Sequence, residues 1–122
     1  MIRIAIVGTG GMANTHARAF AAIRGCKVVA ACDVIPERAE EFAKRHDVPA
    51  VHTDFDRLLA EVDVDAVSNV TPDAVHAPVS LRAIAEGKHV LCEKPLATNY
   101  ADAAAMAKAA KRKRVINMVN LS

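Results

Sequence analysis

Residues 2–13 read Ile2-Arg3-Ile4-Ala5-Ile6-Val7-Gly8-Thr9-Gly10-Gly11-Met12-Ala13. Ile2, Ile4, Ile6 and Val7 are β-branched, and Arg3 is the only polar residue before the glycines. A strand covered on both faces has this composition. The turn that follows spells G-x-G-x-x-A with Gly8, Gly10 and Ala13. In a dinucleotide site each small residue has a physical task. Gly8 permits the sharp turn out of the strand, and Gly10 lets a pyrophosphate approach the backbone. Ala13 allows the next helix to pack close to the sheet. That helix would present unpaired N–H groups and a positive dipole end to the phosphates. The plainer reading is a glycine-rich turn without a ligand. An acid about twenty residues further on, Asp33, favours the dinucleotide site.

Working outward, residues 11 to about 24 read as a helix with Ala13, Ala17, Phe20 and Ala21 on its apolar stripe, ended by Gly25. Residues 27–32 form a second strand with Asp33 at its end. Pro36 suits the first position of a helix running to about His46, with Phe42 and Ala43 inward. Residues 48–52 are a weak third strand, and Thr53 or Asp54 can cap a helix carrying Phe55, Leu58, Leu59 and Val62. A fourth strand over 65–70 leads through Thr71-Pro72-Asp73 into a helix to about Glu86, closed by Gly87. A fifth strand spans 89–92, a helix 99–111 and a sixth strand 115–119. Alternation at this spacing predicts an α/β, Rossmann-type doubly wound parallel sheet in the order 3-2-1-4-5-6, one domain over 1–122.

Several residues then carry chemistry. A carboxylate at Asp33 would accept hydrogen bonds from ribose hydroxyls and repel a 2′-phosphate, so NAD is expected over NADP. Arg38 either softens that preference or is an exposed helix charge. Thr71 and Pro72 end the fourth strand opposite the first, at the topological switch point where open α/β sheets bind ligands. His76 could touch the cofactor or cap local polar groups. Glu93-Lys94-Pro95 directly follows an apolar strand. Lys94 could bring an ammonium to a developing oxyanion or a substrate hydroxyl, or belong to an ion pair on a surface loop.

Composition bounds the rest. Of 122 residues, 52% are hydrophobic and 25% charged, an ordinary globular balance that supports a real core. A net charge of +2 calls for no particular partner. The run Lys111-Arg112-Lys113-Arg114 lacks interleaved aromatics and complements a helix C-terminus, so nucleic acid is not expected. Cys26, Cys32 and Cys92 suit neither a zinc site nor a redox pair and read as buried free thiols of a reducing cytoplasm. Neither a signal peptide nor a membrane span of roughly twenty apolar residues is expected.

Taken together, the stretch from Gly8 to Ala13 with His16, then Asp33, Asp65-Ala66-Val67 with Thr71-Pro72 and His76, and Gly87-Lys88-His89-Val90-Leu91-Cys92-Glu93-Lys94-Pro95-Leu96, resembles the glucose-fructose oxidoreductase / inositol dehydrogenase / rhizopine-catabolism (Gfo/Idh/MocA) family. The last stretch is the most specific to it. The resemblance implies a pyridine-nucleotide oxidoreductase acting on sugars, polyols or related alcohols. It also implies that Lys94 is the catalytic residue, beside the nicotinamide and the substrate hydroxyl, with a cis Lys94–Pro95 bond. The expected cofactor-binding set is Gly8, Thr9, Gly10, Gly11, Met12, Asp33, Arg38, Val70, Thr71, Pro72, His76, Glu93, Lys94 and Pro95, without a metal. Family members continue into a second α/β domain that contributes an acid and a histidine to proton transfer. That domain is expected to be absent from these 122 residues. The chain alone is therefore expected to be inactive, and to self-associate as a homo-oligomer. A stand-alone NAD-binding module, a sensor or assembly partner, is the competing reading. A methyltransferase using S-adenosylmethionine is a third, opposed by Glu93-Lys94-Pro95.

Overall fold

A computed structural model describes residues 1–93 and 100–120. Six strands, β1 (Ile2–Val7), β2 (Cys26–Cys32), β3 (Ala50–His52), β4 (Ala66–Asn69), β5 (His89–Glu93) and β6 (Asn117–Asn120), form one parallel sheet in the order β3-β2-β1-β4-β5-β6. Among the described residues five α-helices, α1 (Gly11–Ala21), α2 (Pro36–His46), α3 (Phe55–Glu61), α4 (His76–Ala85) and α5 (Tyr100–Lys113), lie between them. The order and alternation are those the sequence predicts.

Strand alternation assigns the two faces. Ala5, Val7, Ala30 and Cys32 point into one core with Leu58 of α3, Ala83 and Ile84 of α4 and Ala110 of α5. Ile6 and Ala31 point into the other, against Ala13 and Ala17 of α1 and Phe42 and Ala43 of α2. β1 is buried on both faces from Ile4 to Val7 and apolar there, while Arg3 at its start pairs with Asp63 and Asp65. The alanines at 5, 30 and 31 are fully buried and let the helices approach closely.

Some boundaries differ from expectation. α1 stops at Ala21, and the Gly25 carbonyl accepts from Ile2 N–H at 2.7 Å to start β1. Ala21 is exposed, while His16 takes a core position on α1. Asp54, rather than Thr53, caps α3 by accepting from the Asp56 amide. Pro72 precedes a 3-10 turn over Asp73–Val75, so α4 begins only at His76. Cys32 and Cys92 are buried and outside any disulfide, whereas Cys26 is half-buried. Lys111, Arg112 and Lys113 lie in the last turn of α5, where cations complement the helix dipole.

Candidate functional site

The register aligns Val7, Cys32 and Asn69 at the C-terminal ends of the three central strands. The chain leaves β1 toward β2 on one side and reaches β4 on the other, so a crevice opens between the two connections. It has a volume of about 710 Å³. Gly8, Thr9, Gly10, Gly11 and Met12 form one wall. Asp33 and Arg38 come from the β2 side, and Val70, Thr71 and Pro72 from the β4 side.

The glycines differ in what they do. Gly8 has φ +91°, and its N–H donates to the Cys32 carbonyl at 2.8 Å. A Cβ there would lie 2.5 Å from the Val70 carbonyl oxygen and 2.9 Å from Thr71 N. Gly8 is therefore where the ends of β1 and β4 touch. Gly10 and Gly11 face open space. A Cβ on Gly11 would meet nothing within 4 Å, and one on Gly10 only the Arg38 guanidinium at 3.2 Å. Gly10 is also the N-cap of α1 and has no side chain to occupy the first-turn amides. The helix start is thus a bare cradle of N–H groups facing the crevice, which fits an anionic group of pyrophosphate size.

Asp33 supplies the fixed negative charge. Its Oδ2 accepts from Thr9 N at 2.9 Å and Thr9 Oγ1 at 2.7 Å, and its Oδ1 from Ile35 N at 3.0 Å. Arg38 Nε stands 3.8 Å from Oδ2. Burial pushes the Asp33 carboxyl up, yet the Ile35 amide, the Thr9 hydroxyl and amide and the Arg38 guanidinium outweigh it and hold it below the usual carboxylate range. Next to it, burial and then the charges of Asp33 and Asp54 push the Cys32 thiol up to about 11. Cys32 lines the crevice as a neutral thiol, not a nucleophile.

The β4 wall is held from behind by a polar cluster that sequence reasoning did not single out. Asn69 is 0% exposed. Its Nδ2 donates to the His76 carbonyl and to Ser80 Oγ, both at 2.9 Å. Its Oδ1 accepts from Thr71 Oγ1 at 2.6 Å and Thr71 N at 3.3 Å. Every hydrogen-bonding position of the amide is used, so Thr71 is fixed relative to α4. On the α1 side, buried His16 Nδ1 lies 2.8 Å from Ser68 Oγ.

His76 does not line the crevice. It is 1% exposed, and its Nε2 lies 2.6 Å from the Thr71 carbonyl oxygen, which requires the proton on Nε2. Of the two roles open to it in the sequence, the geometry is that of a cap on local polar groups. A 3-10 turn over Asp73–Val75 lies between Thr71 and His76. Phe55, Val75 and Val79 also line the crevice with Val34, which is 84% exposed. These apolar walls suit a flat heterocycle. Their signal in the sequence was faint, since helix periodicity reads Phe55 only as a core residue. Glu93 ends β5 with its backbone paired to Asn120. The Glu93 side chain, Lys94, Pro95 and the bond between them lie outside the described residues.

Comparison with known proteins bears on this geometry. Residues 2–121 match an oxidoreductase family described by its NAD-binding Rossmann fold, GFO_IDH_MocA. The chain is 36% identical over 118 residues to scyllo-inositol 2-dehydrogenase (NADP(+)) IolU of Bacillus subtilis, covering 97% of this chain and 36% of the relative. It is 43% identical over 101 residues to an inositol 2-dehydrogenase of Acidothermus cellulolyticus, covering 82% of this chain and 30% of that protein. The WlbA dehydrogenase of Bordetella pertussis, solved in complex with NADH and UDP-GlcNAcA, superposes with a TM-score of 0.93 at 28% identity, over 98% of this chain and 36% of that one. The chain thus spans about a third of the length of the curated relatives it matches.

Proposed function

The chain belongs to the GFO_IDH_MocA oxidoreductase family as its NAD-binding Rossmann domain, and from that premise we propose that it holds NAD in the switch-point crevice for hydride exchange with an alcohol carbon of a polyol or sugar. One observation carries the reading: the bare N-terminus of α1 and the ionised Asp33 face the same crevice from adjacent strands. The amides at Gly11 and Met12 would take the pyrophosphate, and Asp33 Oδ1 a ribose hydroxyl. Val34, Phe55, Val75 and Val79 would exclude water around the adenine. When bound, nicotinamide supplies the hydride acceptor or donor. Lys94, which follows β5 directly in sequence, is assigned to the substrate hydroxyl, where its ammonium would steady the oxygen as it loses or gains a proton. Inositol and sugar dehydrogenases among the relatives support a polyol substrate. Pairing of copies is part of the same proposal, since Met118 on the outer strand β6 is exposed. Among the described residues no helix is long and apolar enough to cross a membrane.

Calorimetry with both reduced cofactors tests the reading. NADH is expected to bind about ten- to a hundredfold more tightly than NADPH, because a 2′-phosphate would meet the Asp33 carboxylate in a partly desolvated site. Equal or tighter NADPH binding would transfer control to Arg38, consistent with the NADP(+) in the name of the Bacillus subtilis relative.

A further inference from the structure

Asp33 cannot discriminate between cofactors unless its carboxylate stays in place, and a neighbour competes for it. An ionised carboxylate offers about four acceptor positions. Thr9 N and Thr9 Oγ1 take two on Oδ2, and Ile35 N takes one on Oδ1. One position on Oδ1 is left for a ribose hydroxyl. Arg38 Nε, 3.8 Å from Oδ2, is close enough for ion pairing but too far for a hydrogen bond. Its guanidinium also hangs over Gly10, 3.2 Å from where a Cβ would be. Two residues of opposite consequence therefore flank one oxygen. Thr9 holds it toward the glycine turn, and Arg38 stands ready to pull it toward α2.

We infer that Thr9 is a positioning residue for cofactor choice: its hydroxyl keeps Asp33 Oδ2 from Arg38 and so aims the carboxylate at the ribose. This rests on the nucleotide-site reading above. Without the hydroxyl, Ile35 N still holds Oδ1, but Oδ2 keeps only the Thr9 amide as a donor beside the nearby guanidinium. Oδ2 then moves to the guanidinium, where a charge-assisted bond awaits it. The ribose then loses its acceptor. The site also becomes less hostile to a 2′-phosphate, since the carboxylate has swung away and been neutralised by its partner. The relevant sequence signal is only a threonine between two glycines, and its target lies twenty-four residues away.

The test measures dissociation constants for NADH and NADPH by quenching or enhancement of nicotinamide fluorescence. Wild type, Thr9→Val, Thr9→Ser and Arg38→Gln are compared, with the Thr9→Val/Arg38→Gln double variant. Thr9→Val is expected to cut the NADH-over-NADPH preference by about tenfold, the loss of one hydrogen bond to a charged group. Thr9→Ser, which keeps the hydroxyl, should retain the preference within about twofold of wild type. In the Arg38→Gln background Thr9→Val should move the ratio much less, because the competitor is gone. A ratio unchanged in Thr9→Val, with both cofactors weakened alike, would show a merely structural threonine and overturn the inference. So would additive effects of the two substitutions. Thr9→Ala replaces Thr9→Val if the latter does not fold. A wild-type chain that binds neither nucleotide would instead overturn the site reading itself.

Discussion

Gly8→Ala is expected to lower the melting temperature of the chain by about 10–20 °C, the largest loss from alanine at any of its glycines. Two costs combine. The position has φ +91°, where a Cβ is strained by about 1–2 kcal/mol. The added carbon would also stand 2.5 Å from the Val70 carbonyl oxygen and 2.7 Å from its carbon. Those are backbone atoms held by the bond from Val70 N to the Val7 carbonyl at 2.8 Å, so they cannot yield as a side chain can. Overpacking of this kind costs about 1–3 kcal/mol more. Against a total stability of about 5–15 kcal/mol, the sum is a large share. Thermal unfolding followed by circular dichroism checks it, and a melting temperature within a few degrees of wild type would refute the strain argument.

Gly10→Val is expected to do the opposite, only two residues away. Gly10 has φ −77° and ψ −167°, an extended conformation open to any residue. The sole neighbour of an added Cβ is the end of the Arg38 side chain, which can move. The fold should survive, with stability changed by about 1 kcal/mol or less. Cofactor binding should not. The isopropyl group would fill the space in which a pyrophosphate reaches the first-turn amides. Losing two charge-assisted hydrogen bonds, at about 1.5–3 kcal/mol each, weakens NADH at least about a hundredfold. Normal melting with absent NADH fluorescence enhancement is the predicted pair of results. Normal binding would mean the phosphates do not pass over Gly10.

The two glycines also mark what was legible in the sequence. The strand order followed from alternation and from the handedness of crossovers, both of which are local or topological rules. The crevice followed from the glycine turn, because its spacing is fixed by chemistry. What could not be read was the direction of side chains whose partners lie far off in the chain. His76 sits on a helix start at a switch point, and spacing cannot say that its Nε2 meets the Thr71 carbonyl oxygen. Asn69 lies within the fourth strand as the sequence reads it, with nothing to mark it out, yet its amide braces Thr71 against α4. Arg38 is helix surface by periodicity, and only the tertiary approach of α2 to the glycine turn brings it to Asp33. Ala21, on the apolar stripe by periodicity, is the last residue of α1 and is exposed.

The account stands on one claim: the dinucleotide occupies the crevice between the glycine turn, Asp33 and the Val70–Thr71 wall. Backbone amide chemical shifts of the labelled chain, followed as NADH is added, test it most directly. The account predicts saturable shifts concentrated at Thr9, Gly10, Gly11, Met12, Asp33 and Thr71, with Arg18 and Lys27 unmoved. Those two line a separate cleft of about 550 Å³ with Lys44 and Arg45, which none of Thr9, Gly10, Gly11, Asp33 and Thr71 lines. Saturable shifts confined to that cleft, or none at the glycine turn, would contradict it.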